Sequence, residues 1–187
     1  MTSFPKVLES AVLKSFVDQK AYGQVSTVSA LGVPSVRTVH LHYVVDGDFF
    51  AFNTHVLSKK VSDLRANAKI SGCFWDEKNQ KQFRMIADAE ILDEKTDGEF
   101  MQRLWLTMRD ETRLAYVLES QGIDYDADLD GDHSVERRVP RHTVVAFRPH
   151  QWDIHAFSDR GYRFGKTTRY IRHADGGWHD ELTNLIY

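Results

Sequence analysis

A serine followed by two lysines, Ser58-Lys59-Lys60, is the part of the sequence best suited to binding an anion. Ser58 is placed to be the N-cap of a short helix, because apolar residues recur about one turn apart after it. The first turn of a helix presents unpaired N–H groups and the positive end of the helix dipole, here beside two ammonium groups. Arg37, on a strand earlier in the chain, could hold the same phosphate with two parallel hydrogen bonds. By periodicity alone, a pair of solvated lysines is the more ordinary interpretation.

Two further patterns suggest metal sites but lack complete sets of ligands. His40 and His42 lie two apart on a predicted strand, so their side chains share one face. We assign them no third ligand, and zinc sites use at least three protein ligands. Acidic residues alternate within 124–132 as in a calcium loop, but Arg137 stands at the twelfth position, where a bidentate glutamate is needed. We therefore expect no metal site, and a solvated acidic loop at 124–132.

The strands and helices that must position these residues indicate an α+β fold. Residues 5–18 carry an apolar stripe with a helical repeat, which predicts an opening amphipathic helix, and two more helices are predicted within 96–119. Turn signals separate runs of β-branched and aromatic residues. These runs predict strands at 24–30, 36–45, 48–53, 69–75, 82–92, 143–147, 152–157, 162–171 and 178–186. Short, mostly antiparallel strands with a few helices indicate a β-barrel with flanking helices, formed by a single domain of residues 1–187.

Composition excludes several classes of protein. The 187 residues include 42% hydrophobic and 27% charged residues, which is typical of a globular protein. A formal net charge of −3 argues against a nucleic-acid-binding protein that relies on a global positive field. Cys73 is the only cysteine, so no internal disulfide can form. No stretch approaches the roughly 18 apolar residues of a membrane span, and we expect a cytoplasmic protein.

The order of several short motifs resembles a known family. The resemblance covers residues 24–92 well and the rest of the chain loosely. The motifs that carry it are Arg37-Thr38-Val39, Phe52-Asn53-Thr54, Ser58-Lys59-Lys60, Phe74-Trp75 and Gln82-Phe83-Arg84. Together they are similar to pyridoxamine 5′-phosphate oxidase and its FMN-binding relatives, which implies a mostly antiparallel split β-barrel that binds FMN.

The resemblance also implies a site made at the interface of a homodimer. It implies that Arg37, Lys59 and Lys60 hold the FMN phosphate. Gln82 would reach the cofactor bound mainly by the other subunit. The remaining implied cofactor contacts are Thr38, Val39, Asn53, Thr54, Ser58, Trp152 and Arg169.

The implied substrate contacts depart from the oxidase pattern. His42 stands where the oxidases carry a lysine for the substrate phosphate, and a neutral imidazole binds phosphate less well. Arg109 and Arg113 belong to the helical region that caps the active site in similar proteins, although their spacing suits packing as well. Ser120 and Gln121 resemble a flavin-contacting pair in reversed order. The C-terminal run of arginine, leucine, histidine, aspartate and arginine that grips substrate in the oxidases is absent.

Three functions therefore stay open. The first is an FMN-dependent oxidoreductase, either one acting on pyridoxamine 5′-phosphate or a reductase of flavin or another small molecule. The second is a non-catalytic FMN-binding module that stores or senses flavin. The third is a barrel of the same fold that binds haem or a deazaflavin.

Overall fold

The computed structural model describes Pro5 and residues 21–44, 48–77, 79–93, 95–96, 98–122, 133–157 and 165–183. Apart from Pro5, the predicted helix 5–18 lies outside these residues, and so does the predicted acidic loop 124–132. The strands are β1 (Ala21–Val28), β2 (Pro34–Val44), β3 (Phe49–His55), β4 (Lys69–Asp76), β5 (Lys81–Leu92), β6 (His142–Ala156), β7 (Lys166–Arg172) and β8 (Trp178–Thr183). The helices are α1 (Lys59–Ala66), α2 (Gly98–Trp105) and α3 (Asp110–Gln121).

The strands form one antiparallel sheet that closes into a barrel. The order in the sheet is β3-β2-β1-β4-β5-β6-β7-β8, and β3 also pairs with β6. This extra pairing closes the first six strands of that order, while β7 and β8 continue the sheet beyond the barrel. The predicted fold class, a mostly antiparallel split barrel with flanking helices, is confirmed.

Strand β6 differs from the prediction, which divided it into 143–147 and 152–157. The structure has one strand of 15 residues. Pro149 lies in its middle at a bulge, since Ile86 of β5 pairs with Gln151 while Ala87 pairs with Pro149. A bulge tolerates a proline because the ladder hydrogen bonds are already interrupted there. The bulge lets the first half of β6 pair with β3 and the second half with β7.

The barrel interior is filled by large apolar side chains from alternate positions of the strands. Phe50 and Phe52 of β3 belong to this cluster, and so do Leu41 and Trp152. The intervening residues of β3 face a second cluster beneath α2, where Phe49 packs with residues of the helix. Because β3 is buried on both faces, its first four residues, 49–52, are a continuous apolar run rather than an alternating one.

The described helices are short. The longest, α3, has 12 residues, and no helix in the described part of the chain is long and apolar enough to cross a membrane. Among the described residues, no group of three or more histidine, cysteine, aspartate or glutamate side chains is placed to hold a metal ion.

Candidate functional site

Helix α1 begins where the sequence predicted, with Ser58 as its N-cap. The backbone of Ser58 is extended, with φ −66° and ψ 148°, but its hydroxyl makes no hydrogen bond to the first turn of the helix. Its Oγ instead lies 3.3 Å from Oγ1 of Thr54, at the end of β3. Two hydroxyl groups thus meet beside the open N-terminus of a helix, where they can donate to an anion.

Lys60 and Arg37 bring two positive charges to the same place. The Lys60 Nζ donates to Oγ1 of Thr54 at 3.0 Å. Burial, and after it the positive charge of Arg37, lowers the pKa of the Lys60 ammonium group. Two cations held close enough to repel each other form a site that an anion stabilises. The structure therefore brings together four of the predicted cofactor contacts: Arg37, Thr54, Ser58 and Lys60.

Arg37 is held by hydrogen bonds on both ends of its guanidinium group. Nη1 donates to Oγ1 of Thr27 at 2.9 Å, and Nη2 donates to Oγ of Ser35 at 2.9 Å. Arg37 shares a face of β2 with Val39, which packs against the barrel interior. Thr38 is exposed on the opposite face, so its side chain does not share the surroundings of Arg37.

Of the two lysines at the start of α1, Lys59 is the one that points away from Thr54. Its Nζ donates to Oδ1 of Asp63 at 2.9 Å, one helical turn later, and 64% of the lysine side chain is exposed. Asp63 itself is buried and accepts a second hydrogen bond, from Oγ1 of Thr27 at 2.8 Å. Asp63 belongs to none of the motifs in the sequence. The i, i+4 spacing from Lys59 was the available signal, but such pairs usually lie on exposed helix faces.

Asn53 lies on the other face of β3 from Thr54, as the alternation of side chains along a strand requires. Its Oδ1 is 2.8 Å from Nε2 of His142. His142 is buried, with the rings of Trp105 and Tyr116 at centroid distances of 5.1 and 5.7 Å. The Asn53 side chain therefore belongs to a polar cluster under the helices, away from Thr54.

The buried His142 makes the free energy of unfolding depend on pH. Burial, and after it the positive charge of Arg138, lowers the pKa of His142 from 6.5 to about 3. Below pH 6.5 the unfolded chain binds a proton that folded His142 does not, so the free energy of unfolding falls as the pH drops toward 3. We expect His142 to remove about 2 kcal/mol between pH 7 and pH 5. In urea denaturation at both pH values, His142→Gln should show a smaller difference than the wild type by about that amount.

The matched control is His150→Gln, which replaces a half-exposed histidine. It should reproduce the pH dependence of the wild type. A His142→Gln variant with an unchanged pH dependence would show that the buried imidazole does not produce the effect.

Gln82 and Arg169 lie on the outer surface of the barrel. Trp152 points into the barrel, so the next residue, Asp153, points outward. Arg169 donates to both oxygens of Asp153, from Nε at 2.7 Å and from Nη2 at 3.0 Å. Arg84 approaches the same carboxylate at 3.6 Å, and Gln82 has the same orientation along β5 as Arg84. These residues form a polar surface on strands β5 to β7.

A groove of about 330 Å³ adjoins this polar surface. Residues of β1 and β4, with Arg84 and Asp153, form its walls. The Arg37 side chain lies on the opposite face of the sheet, the face that Leu41 shares in the barrel interior. Within one chain, Arg37 therefore lies on one face of the sheet, while Gln82, predicted to reach the flavin of the other subunit, and Arg169 lie on the other face.

Trp152 has a packing role in the structure. Only 1% of it is exposed, and its ring lies 5.6 Å from that of Phe50 inside the barrel. A ligand on the surface could reach this ring only by displacing core side chains. The inward direction of Trp152 could not be read from the sequence, because β6 is buried on both faces. Its predicted contact with flavin stays a prediction.

The predicted substrate residues have three different environments. Arg109 is exposed at the N-cap of α3. Arg113 is buried, bonds Asp110, and donates from Nη1 to the carbonyl oxygen of Val135 at 3.1 Å, so it holds the chain after α3 in place. His42 is buried beside the ring of His40, at a centroid distance of 4.7 Å. Burial, and after it the charge of His40, lowers the pKa of His42 to about 4.

The candidate flavin contacts at the end of α3 are less defined. The hydroxyl group of Ser120 donates to the carbonyl oxygen of Tyr116 at 2.7 Å, as a residue within the helix. The side chain of Gln121 lies outside the described residues. Their predicted contact with flavin stays a prediction.

The closed antiparallel barrel places this protein in the class of FMN-binding split barrels. A solved structure from Nostoc punctiforme, described as a pyridoxamine 5′-phosphate oxidase-related, FMN binding protein, superposes with a TM-score of 0.74. It is 22% identical, and the match covers 92% of this chain and 91% of that one. PhzG from Burkholderia lata, solved with tetrahydrophenazine-1-carboxylic acid, has a TM-score of 0.68 at 19% identity, with 96% and 89% of the two chains covered. At these identities the similarity is one of fold.

Sequence comparison identifies the family. The family model described as pyridoxamine 5′-phosphate oxidase matches residues 10–156. The chain therefore belongs to the pyridoxamine 5′-phosphate oxidase family, and the resemblance inferred from its motifs is confirmed. It is 29% identical to a pyridoxine/pyridoxamine 5′-phosphate oxidase of Alcanivorax borkumensis, over 83% of this chain and 76% of that protein. It is 28% identical to the Bdellovibrio bacteriovorus protein of the same description, over 94% and 91%.

Proposed function

We propose that the protein is an FMN-dependent oxidoreductase that holds its flavin at the interface of a homodimer. The observation that carries this proposal is the meeting of Arg37 and Lys60 with two hydroxyl groups at the N-terminus of α1. These residues match the order of the family motif for the FMN phosphate. The relatives named above as oxidases support the class of reaction.

The residues present fit the phosphate group of FMN. Burial, and after it the positive charge of Arg37, lowers the pKa of Lys60, and a phosphate between the two cations would stabilise both charges. The hydroxyl groups of Thr54 and Ser58 lie within reach of each other and can both turn toward such an oxygen. Bound FMN would supply the hydride and electron transfer, which no side chain of the cluster can perform. The protein's part is to bind and orient the cofactor.

A second copy of the chain is the partner that the outer surface favours. Four apolar side chains point outward on neighbouring strands β2, β1, β4 and β5, and between 39% and 69% of each is exposed: Val36, Tyr22, Trp75 and Ile86. Apolar side chains exposed on one face of a sheet support contact with another protein there. A two-fold dimer through this face would also place Gln82 and Arg169 of one subunit next to the other subunit. This supports a flavin site that needs both chains.

The surroundings of His42 favour a substrate other than a phosphate ester at this position. With a pKa of about 4, the imidazole is uncharged at neutral pH, so it can donate only one hydrogen bond to a phosphate and brings no positive charge. Reduction of flavin or of another small molecule is therefore the second candidate activity. Pyridoxamine 5′-phosphate turnover is the first to measure, because it separates the two.

The first test is an absorption spectrum of the purified protein, with mass spectrometry of the molecule that heat releases. We expect flavin bands, release of FMN, and a particle of twice the chain's mass in light scattering. Turnover of pyridoxamine 5′-phosphate with oxygen would establish the oxidase activity. Bound FMN without turnover would favour another substrate or a storage role.

Two results would contradict the proposal. A colourless protein that cannot be loaded with FMN would show that the cluster binds another anion, and haem or a deazaflavin would then be tried. A monomer that binds FMN tightly would show that the second chain is unnecessary.

A further inference from the structure

We infer that Asp63, a buried acid outside the family motif, is a positioning residue that sets the geometry of the anion cluster through Thr27. The inference rests on the proposed function, since it concerns how the same cluster recognises phosphate. It assigns a role to two residues, Asp63 and Thr27, that the motif does not contain.

The contacts form a chain from the acid to the arginine. The Thr27 hydroxyl donates to Oδ2 of Asp63 at 2.8 Å, which leaves the lone pairs of Oγ1 facing Arg37. Nη1 of Arg37 donates to this Oγ1 of Thr27 at 2.9 Å. Because a hydroxyl group has one proton, donation to Asp63 fixes Thr27 as the acceptor for Arg37. Through Thr27, the acid therefore orients one end of the guanidinium group, while Ser35 holds the other end.

The second carboxylate oxygen of Asp63 binds a lysine on the helix side of the cluster. Oδ1 accepts a hydrogen bond from Lys59 Nζ at 2.9 Å. Only 4% of Asp63 is exposed, and Thr27 is fully buried, so neither side chain has room to reorient. Hydrogen bonds from Lys59 and Thr27 lower the pKa of Asp63, which keeps the carboxylate charged at neutral pH. One buried carboxylate thus links β1, β2 and α1.

The charge balance of the cluster suits a phosphate monoester. Arg37, Lys59 and Lys60 carry three positive charges and Asp63 one negative charge, which leaves a net charge of about +2. A phosphate monoester carries between about −1.5 and −2 at neutral pH. Asp63 also raises the pKa of Arg37 against the effect of burial. It therefore balances part of the positive charge of the cluster.

The Asp63→Asn variant distinguishes a positioning role from simple electrostatic attraction, because the two predict opposite changes in the affinity for FMN. Removing a negative charge near a phosphate site should tighten binding by Coulomb attraction alone. Loss of the charge-assisted hydrogen bonds to Thr27 and Lys59 should instead weaken FMN binding about tenfold. The measurement is the Kd of FMN and of riboflavin, which lacks the phosphate, for each variant. A positioning role should change the FMN value and leave riboflavin within about twofold.

Two further variants complete the design. Thr27→Val breaks the link without changing the charge and should also weaken FMN binding about tenfold, while Thr27→Ser, which keeps the hydroxyl group, should restore it. The double variant Asp63→Asn with Thr27→Val should bind FMN no more weakly than either single variant, as expected for one connected unit. Asp88→Asn, which removes an exposed carboxylate paired with Lys69, is the matched control for charge.

The outcomes distinguish this inference from the proposed function. Wild-type protein that binds riboflavin as tightly as FMN would overturn the phosphate site itself. A preference for FMN in the wild type that survives in Asp63→Asn and Thr27→Val would overturn only the positioning role. Equal loss of both flavins in Asp63→Asn would indicate a structural role, and the Thr27→Val and Thr27→Ser pair then decides.

Discussion

Replacing both Arg37 and Lys60 with alanine should weaken FMN binding by at least about 100-fold. Each side chain is expected to donate a charge-assisted hydrogen bond to the phosphate, and such bonds contribute roughly 1.5–3 kcal/mol. Because the two cations act on the same group, their losses should reinforce each other. Fluorescence titration with FMN measures the change, and riboflavin, without the phosphate, shows how much of it belongs to that group.

The matched control for this variant is Arg65→Ala with Lys69→Ala. Both residues are exposed near the end of α1 and the start of β4, and their replacement removes the same two charges. We expect its affinity for FMN to fall only by the long-range part of the attraction, within a few-fold at about 0.15 M salt. Equal losses in the control and the Arg37/Lys60 variant would mean that general charge, and no specific site, attracts the cofactor.

Trp152→Ala should lower the free energy of unfolding by about 3–5 kcal/mol. The indole is 1% exposed and packs against Phe50 in the barrel interior, so its removal leaves a large cavity among core side chains. Urea denaturation of the FMN-free protein measures this loss. The more conservative Trp152→Phe fills part of the cavity and should cost less.

The control here is Leu106→Ala, which truncates an apolar side chain that is 52% exposed after α2. It should change the free energy of unfolding by no more than about 0.5 kcal/mol. A Trp152→Ala protein with full stability and a strongly reduced affinity for FMN would instead place Trp152 at the flavin, as the sequence resemblance implied.

Local patterns in the sequence were sufficient for most of the barrel. Alternating apolar residues and turn signals predicted the strands, and Ser58 marked the start of α1 within one residue. The cluster of Arg37, Thr54, Ser58 and Lys60 was also predictable, because these residues come from adjacent elements whose motifs follow the order of the family pattern within 24–92. Close spacing along the chain restricts where such side chains can go.

Contacts between distant parts of the chain were not predictable in this way. Thr27 and Asp63 are 36 residues apart, and Asn53 and His142 are 89 apart. Neither pair has a sequence signal, since each contact depends on which face of an element is turned toward another. A buried polar group must find a partner, but the sequence does not say which one.

What the sequence by itself determined about this protein is its family, its barrel of antiparallel strands and the cations at the start of α1. Only the tertiary structure decided the direction of each side chain in strands buried on both faces. Phe49 and Phe50 are equally apolar, yet one faces the helices and the other the barrel interior. Trp152 likewise points inward because β6 is paired on both edges and its register is set by those partners. A shift of one residue in the pairing of a strand would exchange its two faces, and only packing between distant strands excludes such a shift.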